Sequence, residues 1–308
     1  MGRSGQANGH YRSVNTFIIK IIETQMSLTV TPFSEDFGVE ISGVNLSIPV
    51  LPAIKESLNA LLAQYAVLIF REQSLTPPQF MVAAEIFGEL MDQQLKKYVL
   101  PDYPMVGCNS TDDLPRKNGK LQVRGENYHT DHSNERCPPK ATTLHALQIP
   151  PTGGDTQFVD VRKAFDDLPE SLKIKLCGLR SRHVHQSSRS PRELTKLSPD
   201  DLAKIPTALQ PLVIRHPGNG RPALYLNTGR MEGIEDIDPD AGFALIENLY
   251  QHATDARYEY RHKWRAGDMV IWDNQAVMHQ ANADYDPEQK RFLYRLMIKG
   301  QALSPAEL

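Results

Sequence analysis

Short apolar segments recur along most of this chain, and turn-forming residues separate one segment from the next. The 308 residues include 19 glycines and 22 prolines. Strand-length apolar segments between such turns predict β-strands, and longer segments with an apolar residue every three or four positions predict helices. We therefore expect a mainly β protein with inserted helices, built as a closed or double-sheet architecture such as a jelly roll.

The two periodicities assign most of the elements. The predicted strands are short segments within 28–48, followed by 66–70, 142–148, 156–159, 212–216, 223–227, 269–272 and 292–299. The predicted helices are 52–64, 77–87, 161–167, 169–176 and 240–253. Residues 91–127 carry prolines and charges without either period, which predicts an irregular loop of the kind that covers a binding site. No segment repeats and none resembles a linker, so residues 28–308 are expected to form a single domain.

Residues 1–27 differ from the rest of the chain. They are polar except for a few positions at 17–19 and 21–22, and this apolar run is too short for a signal peptide. We expect a disordered or non-native N-terminal extension, for which Met26 is a candidate native first residue.

Charge and cysteine content narrow the classes of function. Lys plus Arg total 34 against 37 for Asp plus Glu, a formal charge of −3, and no long run of one sign indicates a nucleic-acid partner. No apolar run approaches the roughly 20 residues that cross a bilayer, so no membrane partner is expected. Cys108, Cys137 and Cys177 are odd in number and widely spaced, which argues against a disulfide framework. We expect a soluble protein of a reducing compartment, the cytoplasm.

His129 and Asp131 are the strongest local signal for chemistry. On extended backbone, residues i and i+2 point to the same face, so an imidazole and a carboxylate at this spacing can bind one cation. His279 is the best third ligand, because it follows the predicted strand 269–272 and lies at a strand exit. Two histidines and one carboxylate form the facial triad of non-haem Fe(II) oxygenases.

Several ordered motifs surround this triad. They are Asp36-Phe37-Gly38-Val39-Glu40-Ile41-Ser42-Gly43-Val44, Ile69-Phe70-Arg71, Phe87-Gly88-Glu89-Leu90, His129-Thr130-Asp131, Thr152-Gly153-Gly154-Asp155-Thr156, Gly267-Asp268-Met269-Val270-Ile271-Trp272-Asp273-Asn274 and Ala281-Asn282-Ala283-Asp284-Tyr285. In order and spacing the chain resembles the Fe(II)- and 2-oxoglutarate-dependent dioxygenases of the taurine dioxygenase and 2,4-dichlorophenoxyacetate dioxygenase family. The resemblance covers nearly all of residues 28–300 and implies a double-stranded β-helix (jelly roll) core. Relatives often form dimers or tetramers, so a homo-oligomer is an expectation by likeness.

The resemblance also implies roles for single residues. His129, Asp131 and His279 would bind Fe(II) and act as the catalytic centre. Arg291 would pair with the distal carboxylate of the co-substrate 2-oxoglutarate, a task suited to a planar and permanently charged fork. Thr156 would place its hydroxyl near the same co-substrate. With O₂, such a site hydroxylates a substrate C–H bond while 2-oxoglutarate is converted to succinate and CO₂.

The primary substrate is expected to be a small organic anion. Arg295 lies four residues after Arg291, and on a strand this even spacing directs both guanidiniums to one face. In the resembling family the second arginine binds the acidic group of the substrate, a sulfonate, sulfate ester or carboxylate. Gln93 and Lys96 stand where the taurine enzymes carry a histidine and a tyrosine that contact the substrate, so a substrate other than taurine is expected. A solvated pair with Lys97 is the competing interpretation of Lys96.

Two other functions use the same residues differently. A zinc- or manganese-dependent jelly-roll isomerase or hydrolase would need the triad but not Arg291 and Thr156. A non-catalytic small-molecule binding jelly roll would need none of them. His183 and His185 are a second candidate metal pair, disfavoured by the arginines around them. His145 is expected to be a hydrogen-bonded core histidine and His132 to be no ligand.

Overall fold

The computed structural model describes residues 17–20, 27–93, 96–117, 120–123, 125–191 and 198–307. The α-helices in these residues are α1 (Pro52–Tyr65), α2 (Pro77–Glu85), α3 (Val161–Asp166), α4 (Glu170–Leu176), α5 (Pro199–Ala203) and α6 (Pro239–Ala253). The strands are β1 (Phe17–Lys20), β2 (Ser27–Pro32), β3 (Val39–Ser42), β4 (Val67–Phe70), β5 (Leu90–Met91), β6 (Val99–Leu100), β7 (Tyr103–Ser110), β8 (Arg116–Lys117), β9 (Lys120–Leu121), β10 (Ala141–Gln148), β11 (Thr156–Asp160), β12 (Arg180–His183), β13 (Ala208–Pro211), β14 (Val213–Arg215), β15 (Pro222–Leu224), β16 (Met231–Ile234), β17 (Glu259–His262), β18 (Met269–Asp273), β19 (Val277–Ala281) and β20 (Phe292–Ile298). Short 3₁₀ helices cover Lys96–Tyr98, Thr111–Asp113 and Ala256–Tyr258.

A ten-stranded sheet forms the centre of the protein. Its order is β1-β2-β3-β4-β18-β10-β20-β7-β6, with β5 paired to β20. Of these pairs, β3 and β4 run parallel and the others are antiparallel. The central strands β4 and β18 are buried along their whole length, because both faces of the sheet are covered.

Alternate side chains of the central strands enter two different cores. Leu68 and Phe70 of β4 pack with α1 and α2 on one face, whereas Val67 and Ile69 pack on the other face. The second core also contains Phe158 of β11, which belongs to the three-stranded sheet β17-β11-β19. The period-2 alternation thus builds three layers, with helices on one side of the large sheet and the small sheet on the other. The fold is mainly β with inserted helices.

A third apolar cluster joins the helices α3 and α6 to the strands β14–β16. It begins where β11 ends, since Asp160 caps α3 by accepting from the backbone amides of Arg162 and Lys163. The cluster packs beside the small sheet and supports the segment 225–231, which lies next to the predicted ligands.

Most of the predicted elements are confirmed, with ends that differ by one to three residues. The predicted helix 52–64 is α1, the helix 240–253 is α6, and the strand 142–148 is β10. None of the helices among the described residues is long and apolar enough to cross a bilayer.

Two predictions about irregular regions were wrong. The predicted loop 91–127 contains β7, an eight-residue strand that pairs with β20 in the large sheet. Pro104 and Gly107 interrupt its apolar pattern, so the strand has no readable period and depends on a partner far away in sequence. His279 lies inside β19 and not at a strand exit.

The N-terminal extension is described only in part. Phe17–Lys20 forms β1 and pairs antiparallel with β2, and the disordered or non-native character of residues 1–27 stays a prediction. The apolar, β-branched residues of β1 favour a strand once an edge is available. The candidate start Met26 and the tail residue His10 lie outside the described residues.

Candidate active site

Backbone pairing brings the two predicted histidine ligands together. His129 and His279 form an isolated antiparallel bridge in which each amide donates to the other residue's carbonyl, at 3.0 and 2.9 Å. Directly opposed residues of antiparallel chains project to the same face, and here the ring centroids lie 4.3 Å apart. The remaining hydrogen bond of His129 joins Nδ1 to the carbonyl of Asn127 at 2.8 Å. Nδ1 therefore carries the proton, and Nε2 keeps a free lone pair.

Asp131 faces both imidazoles. Its Oδ1 lies 3.9 Å from His129 Nε2, and its Oδ2 lies 3.9 Å from His279 Nε2. These separations are below twice a metal–ligand bond of about 2.0–2.2 Å, so one ion between them can contact both members of each pair. Within the described part of the chain, these three residues are the one group of three or more His, Cys, Asp or Glu with donor atoms within 4.8 Å of one another.

A buried relay of hydrogen bonds orients the Asp131 carboxylate. Thr142 Oγ1 donates to Asp131 Oδ2 at 2.6 Å, and Asn274 Nδ2 donates to Thr142 Oγ1 at 3.0 Å. Trp272 Nε1 donates to Asn274 Oδ1 at 3.2 Å. Thr142, Trp272 and Asn274 are at most 2% exposed. The large sheet thus holds the carboxylate from behind, in the way that hydrogen-bond partners orient metal-binding carboxylates in other proteins.

The protonation states of the three groups suit a divalent cation. Burial lowers the pKa of His279 to about 3, and the neighbouring His129 adds to this effect. Burial also lowers the pKa of His129. Burial by itself would raise the pKa of Asp131, but Arg295 and the adjacent imidazoles outweigh it and hold that pKa well below its usual range. Two neutral imidazoles and one carboxylate are the donor set that Fe(II) and related metals bind.

Arg295 lies closer to Asp131 than the sequence indicates. Its Nη2 is 3.0 Å from Asp131 Oδ1, so the predicted substrate residue also forms an ion pair with a predicted ligand. Gln93 supports this arginine, since Arg295 Nη1 donates to Gln93 Oε1 at 3.4 Å. Gln93 is itself buried and donates to the carbonyl of Met105 at 3.0 Å. Lys96 lies in the 3₁₀ helix Lys96–Tyr98, but its side chain is outside the described part.

Arg291 lies in a second group of side chains, called here the Arg291 cradle, which consists of Arg291, Gly154, Thr156 and Trp264. Its Nε donates to the carbonyl of Gly154 at 2.9 Å, and its Cζ lies 6.0 Å from the ring centroid of Trp264. Trp264 Nε1 donates to the hydroxyl of Thr156 at 3.0 Å, so both predicted co-substrate residues meet at one indole. Burial lowers the pKa of Arg291 to about 10. Among the described residues no carboxylate lies within 4.0 Å of this guanidinium.

The turn before β11 shapes this cradle. Gly153 and Gly154 both have a left-handed backbone, with φ of +75° and +69°. Asp284 Oδ1 accepts from the amide of Gly154 at 2.8 Å, and Arg261 bridges Asp284 and Asp155. This ion-pair cluster fixes the carbonyl that orients Arg291.

The remaining described histidines are not members of the group of three. His183 is fully buried and its Nδ1 lies 2.9 Å from the hydroxyl of Ser133. Among the described residues, neither His183 nor His185 belongs to a group of three or more possible metal ligands. His145 is buried and its Nδ1 lies 3.3 Å from the carbonyl of Asp268. His132 has a φ of +46°, and its buried Nδ1 has no protein partner in the described residues.

Two residues near the site carry no signal in the sequence. Trp264 joins Thr156 to Arg291, and Arg230 lies beside the segment that carries His129 and Asp131. Neither belongs to a motif, because a lone tryptophan or arginine has no characteristic spacing. Their role depends on which elements the fold brings together.

Known proteins resemble this chain over nearly its whole length. The sequence profile of the family described as "Taurine catabolism dioxygenase TauD, TfdA family" matches residues 29–297. The alpha-ketoglutarate-dependent 2,4-dichlorophenoxyacetate dioxygenase of Burkholderia sp. (strain RASC) is 34% identical over 254 residues, which are 79% of this chain and 85% of that protein. The alpha-ketoglutarate-dependent sulfate ester dioxygenase of Pseudomonas putida is 30% identical, covering 90% of this chain and 91% of that protein. A crystal structure of a taurine dioxygenase from Burkholderia xenovorans superposes with a TM-score of 0.75 at 29% identity, covering 91% of this chain and 97% of that one.

Proposed function

This chain belongs to the taurine catabolism dioxygenase TauD, TfdA family, and on that premise we propose that His129, Asp131 and His279 bind Fe(II) for the hydroxylation of a small organic anion. The family and the relatives make the protein a 2-oxoglutarate-dependent dioxygenase. The observation that carries the proposal is the group of three donors within 4.8 Å of one another, together with Arg291, which has no carboxylate partner among the described residues.

The residues present fit an iron centre. The hydrogen bond from Nδ1 of His129 leaves Nε2 as a donor, and Asp131 offers a carboxylate already oriented by Thr142. When bound, Fe(II) together with 2-oxoglutarate and O₂ would supply the oxidation that replaces a substrate C–H hydrogen by a hydroxyl group, with succinate and CO₂ as coproducts. The protein's part is to orient that C–H bond and to exclude water.

The Arg291 cradle is the proposed binding site for the distal carboxylate of 2-oxoglutarate. The buried guanidinium has lost hydration, which lowers its pKa, and a carboxylate would restore the favourable charge state through a bidentate pair. Thr156 and Trp264 form one wall of this cradle. The isomerase or hydrolase interpretation gives Arg291 no role, so we favour the dioxygenase.

Arg295 and Gln93 are proposed to face the primary substrate. Two relatives are named for a phenoxyacetate and a sulfate ester. Both substrates contain an acidic group and a carbon that carries a C–H bond and is bonded to an oxygen atom. Hydroxylation of that carbon gives a product that collapses to a carbonyl compound and releases the phenol or the sulfate. We infer the same substrate class here, with carboxylates, sulfate esters and sulfonates as the compounds to test. Lys96 stays a candidate contact.

We infer that the large sheet and the facing three-stranded sheet are the two halves of a jelly-roll core within one domain of residues 28–308. The shared apolar cluster around Phe158 and Trp272 supports this interpretation. Their inner faces enclose the proposed centre, because His279 lies on β19 of the small sheet and Arg295 on β20 of the large one.

An anaerobic titration tests the proposed centre. Fe(II) and 2-oxoglutarate added together should give a weak visible charge-transfer band with wild-type protein, and His129→Ala should abolish it. His185→Ala is the matched control, because this partly buried histidine lies outside the group of three, and it should keep the band. Aerobic screening of 2,4-dichlorophenoxyacetate, hexyl sulfate and taurine for succinate formation then ranks the substrate classes. Wild-type protein with neither the band nor acid-dependent O₂ uptake would refute the proposal.

A further inference from the structure

Arg230 is a third arginine of the site, and a turn anchors it to the backbone of the proposed ligands. Asn227 Nδ2 donates to the carbonyl of Thr130 at 2.8 Å, and Thr130 lies between His129 and Asp131. The amide of Arg230 in turn donates to the carbonyl of Asn227 at 2.9 Å. The turn between β15 and β16 is therefore fixed against the segment that carries two of the three donors.

The guanidinium of Arg230 contacts only neutral acceptors in the described chain. Its Nη1 donates to Asn134 Oδ1 at 2.7 Å and to the carbonyl of His185 at 3.1 Å. No carboxylate among the described residues lies within 4.0 Å of it. Burial lowers the pKa of Arg230, and the more distant charges of Asp131 and Glu135 offset part of this effect. A partly buried cation without an ion pair is costly unless an anion arrives.

Arg230 and Arg295 approach the segment 129–134 from different elements. Arg230 comes from the 227–231 turn and contacts Asn134. Arg295 comes from β20 and already pairs with Asp131, whereas Arg291 faces the proposed co-substrate. Arg230 is thus the arginine of the site whose charge is used neither by a described protein group nor by the proposed co-substrate.

We propose that Arg230 binds the acidic group of the primary substrate and selects anionic substrates over neutral ones. Arg295 and Gln93 face the same substrate, as proposed above, and Arg295 also pairs with Asp131. The inference rests on the proposed function, since it assumes a substrate held beside the His129, Asp131 and His279 centre. It assigns the specificity of the site to the 227–231 turn, which lies outside the motifs of the sequence.

Binding of an acid and of its uncharged analogue tests this assignment. The probes are 2,4-dichlorophenoxyacetate and 2,4-dichlorophenoxyethanol, titrated by anaerobic calorimetry into protein loaded with Mn(II) and 2-oxoglutarate. Arg230→Gln keeps an amide donor for Asn134 but loses the charge, so we expect the Kd of the acid to rise roughly tenfold to a hundredfold, as for loss of a hydrogen bond to a charged group. The Kd of the alcohol should stay unchanged. Arg230→Lys should recover part of the affinity for the acid.

Controls separate this inference from the proposed function. Arg182→Gln removes an exposed arginine of β12 and should bind both probes as wild type does. In steady state with the best acid from the succinate screen, Arg230→Gln should raise KM with little change in kcat. Equal affinity of Arg230→Gln and wild type for the acid overturns the assignment of Arg230 alone, provided that the charge-transfer band is intact. A wild-type protein that lacks the band, or binds no acid of the screen, overturns the proposed function and this inference together.

Discussion

A neutral side chain and a positively charged side chain contact the two oxygens of the Asp131 carboxylate. A neutral hydroxyl, from Thr142, donates to Oδ2, and a cation, Arg295, lies 3.0 Å from Oδ1. The hydroxyl is part of a fully buried relay and fixes the carboxylate plane, whereas the guanidinium keeps the group ionised. The orientation of the proposed ligand is therefore set by the protein before any metal binds.

Thr142→Val should weaken metal binding without unfolding the protein. The substitution keeps the shape but removes the donor 2.6 Å from Asp131, and loss of such a partner costs roughly 10- to 100-fold in metal affinity. Mn(II) affinity, measured from the EPR signal of the free ion, is the readout. Thr143→Val is the matched control, because Thr143 is equally buried and donates to the carbonyl of Val270 instead. Equal Mn(II) affinities for the two variants would contradict a role of Thr142 in holding Asp131.

Arg291→Gln should separate co-substrate binding from metal binding. The variant loses the charge proposed to pair with 2-oxoglutarate, so KM for 2-oxoglutarate should rise by roughly tenfold or more, as for loss of a charge-assisted bond. Mn(II) affinity should match wild type, since Arg291 does not contact the three donors. Initial rates of succinate formation against 2-oxoglutarate concentration measure the effect. A normal KM would assign the co-substrate carboxylate to another residue.

Among the secondary-structure elements, the turn before β11 links the ion-pair cluster of Arg261 to the Arg291 cradle. A Cβ at Gly153 would lie 2.3 Å from the carbonyl oxygen of Asp284, which is far inside contact distance. Glycine is therefore required there by both its left-handed φ and the close approach of another backbone. The turn is a rigid support for the proposed co-substrate site.

The variants Gly153→Ala and Gly220→Ala separate the effect of the left-handed φ from the effect of a clash with another backbone. Both glycines have nearly the same φ, +75° and +73°, but a Cβ at Gly220 meets nothing within 4 Å. Gly220→Ala should cost about 1–2 kcal/mol of unfolding free energy from backbone strain alone. Gly153→Ala should cost more, because Asp284 must also move, and it should raise KM for 2-oxoglutarate. Urea denaturation and steady-state kinetics measure the two effects, and equal stabilities for both variants would contradict the proposed clash.

Across the molecule as a whole, several histidines are buried and have lowered pKa values. Burial lowers the pKa of His183 to about 3, and burial also lowers the pKa values of His145 and His262. Below about pH 6.5 the unfolded chain binds more protons at these histidines than the folded protein does. Acid therefore favours unfolding. The contribution of these histidines to the free energy of unfolding at neutral pH is lost as the pH falls below about 6.5.

The free energy of unfolding should fall between about pH 7.5 and about pH 5.5, the range that brackets the ordinary histidine pKa. His183 alone should account for roughly 1.4 kcal/mol of this loss, the value for one group over about one pH unit. His183→Gln, which cannot titrate, should reduce the difference between the two pH values by about that amount. Urea denaturation of both proteins at both pH values provides the measurement. An unchanged difference in the variant would mean that His183 is protonated in the folded state.

Elements with a local pattern follow from the amino-acid sequence alone. Helix α1 and strands β4 and β18 can be predicted from their apolar periods, since each period reports which face of one element is buried. The order of the motifs indicates the family, and with it the donors His129, Asp131 and His279. These residues carry their signal in spacing along the chain, so no tertiary information is needed to select them.

Which distant elements meet is decided only when the chain folds. The bridge between His129 and His279, the pairing of β7 with β20 and the position of Arg230 beside Thr130 all join segments far apart in sequence. Such pairings depend on register and on which apolar faces bury each other, and neither is encoded in one segment alone. For that reason the proposed metal ligands could be selected from the sequence. The ion pair of Arg295 with Asp131, and the charge of Arg230 that has no ion pair among the described residues, could not.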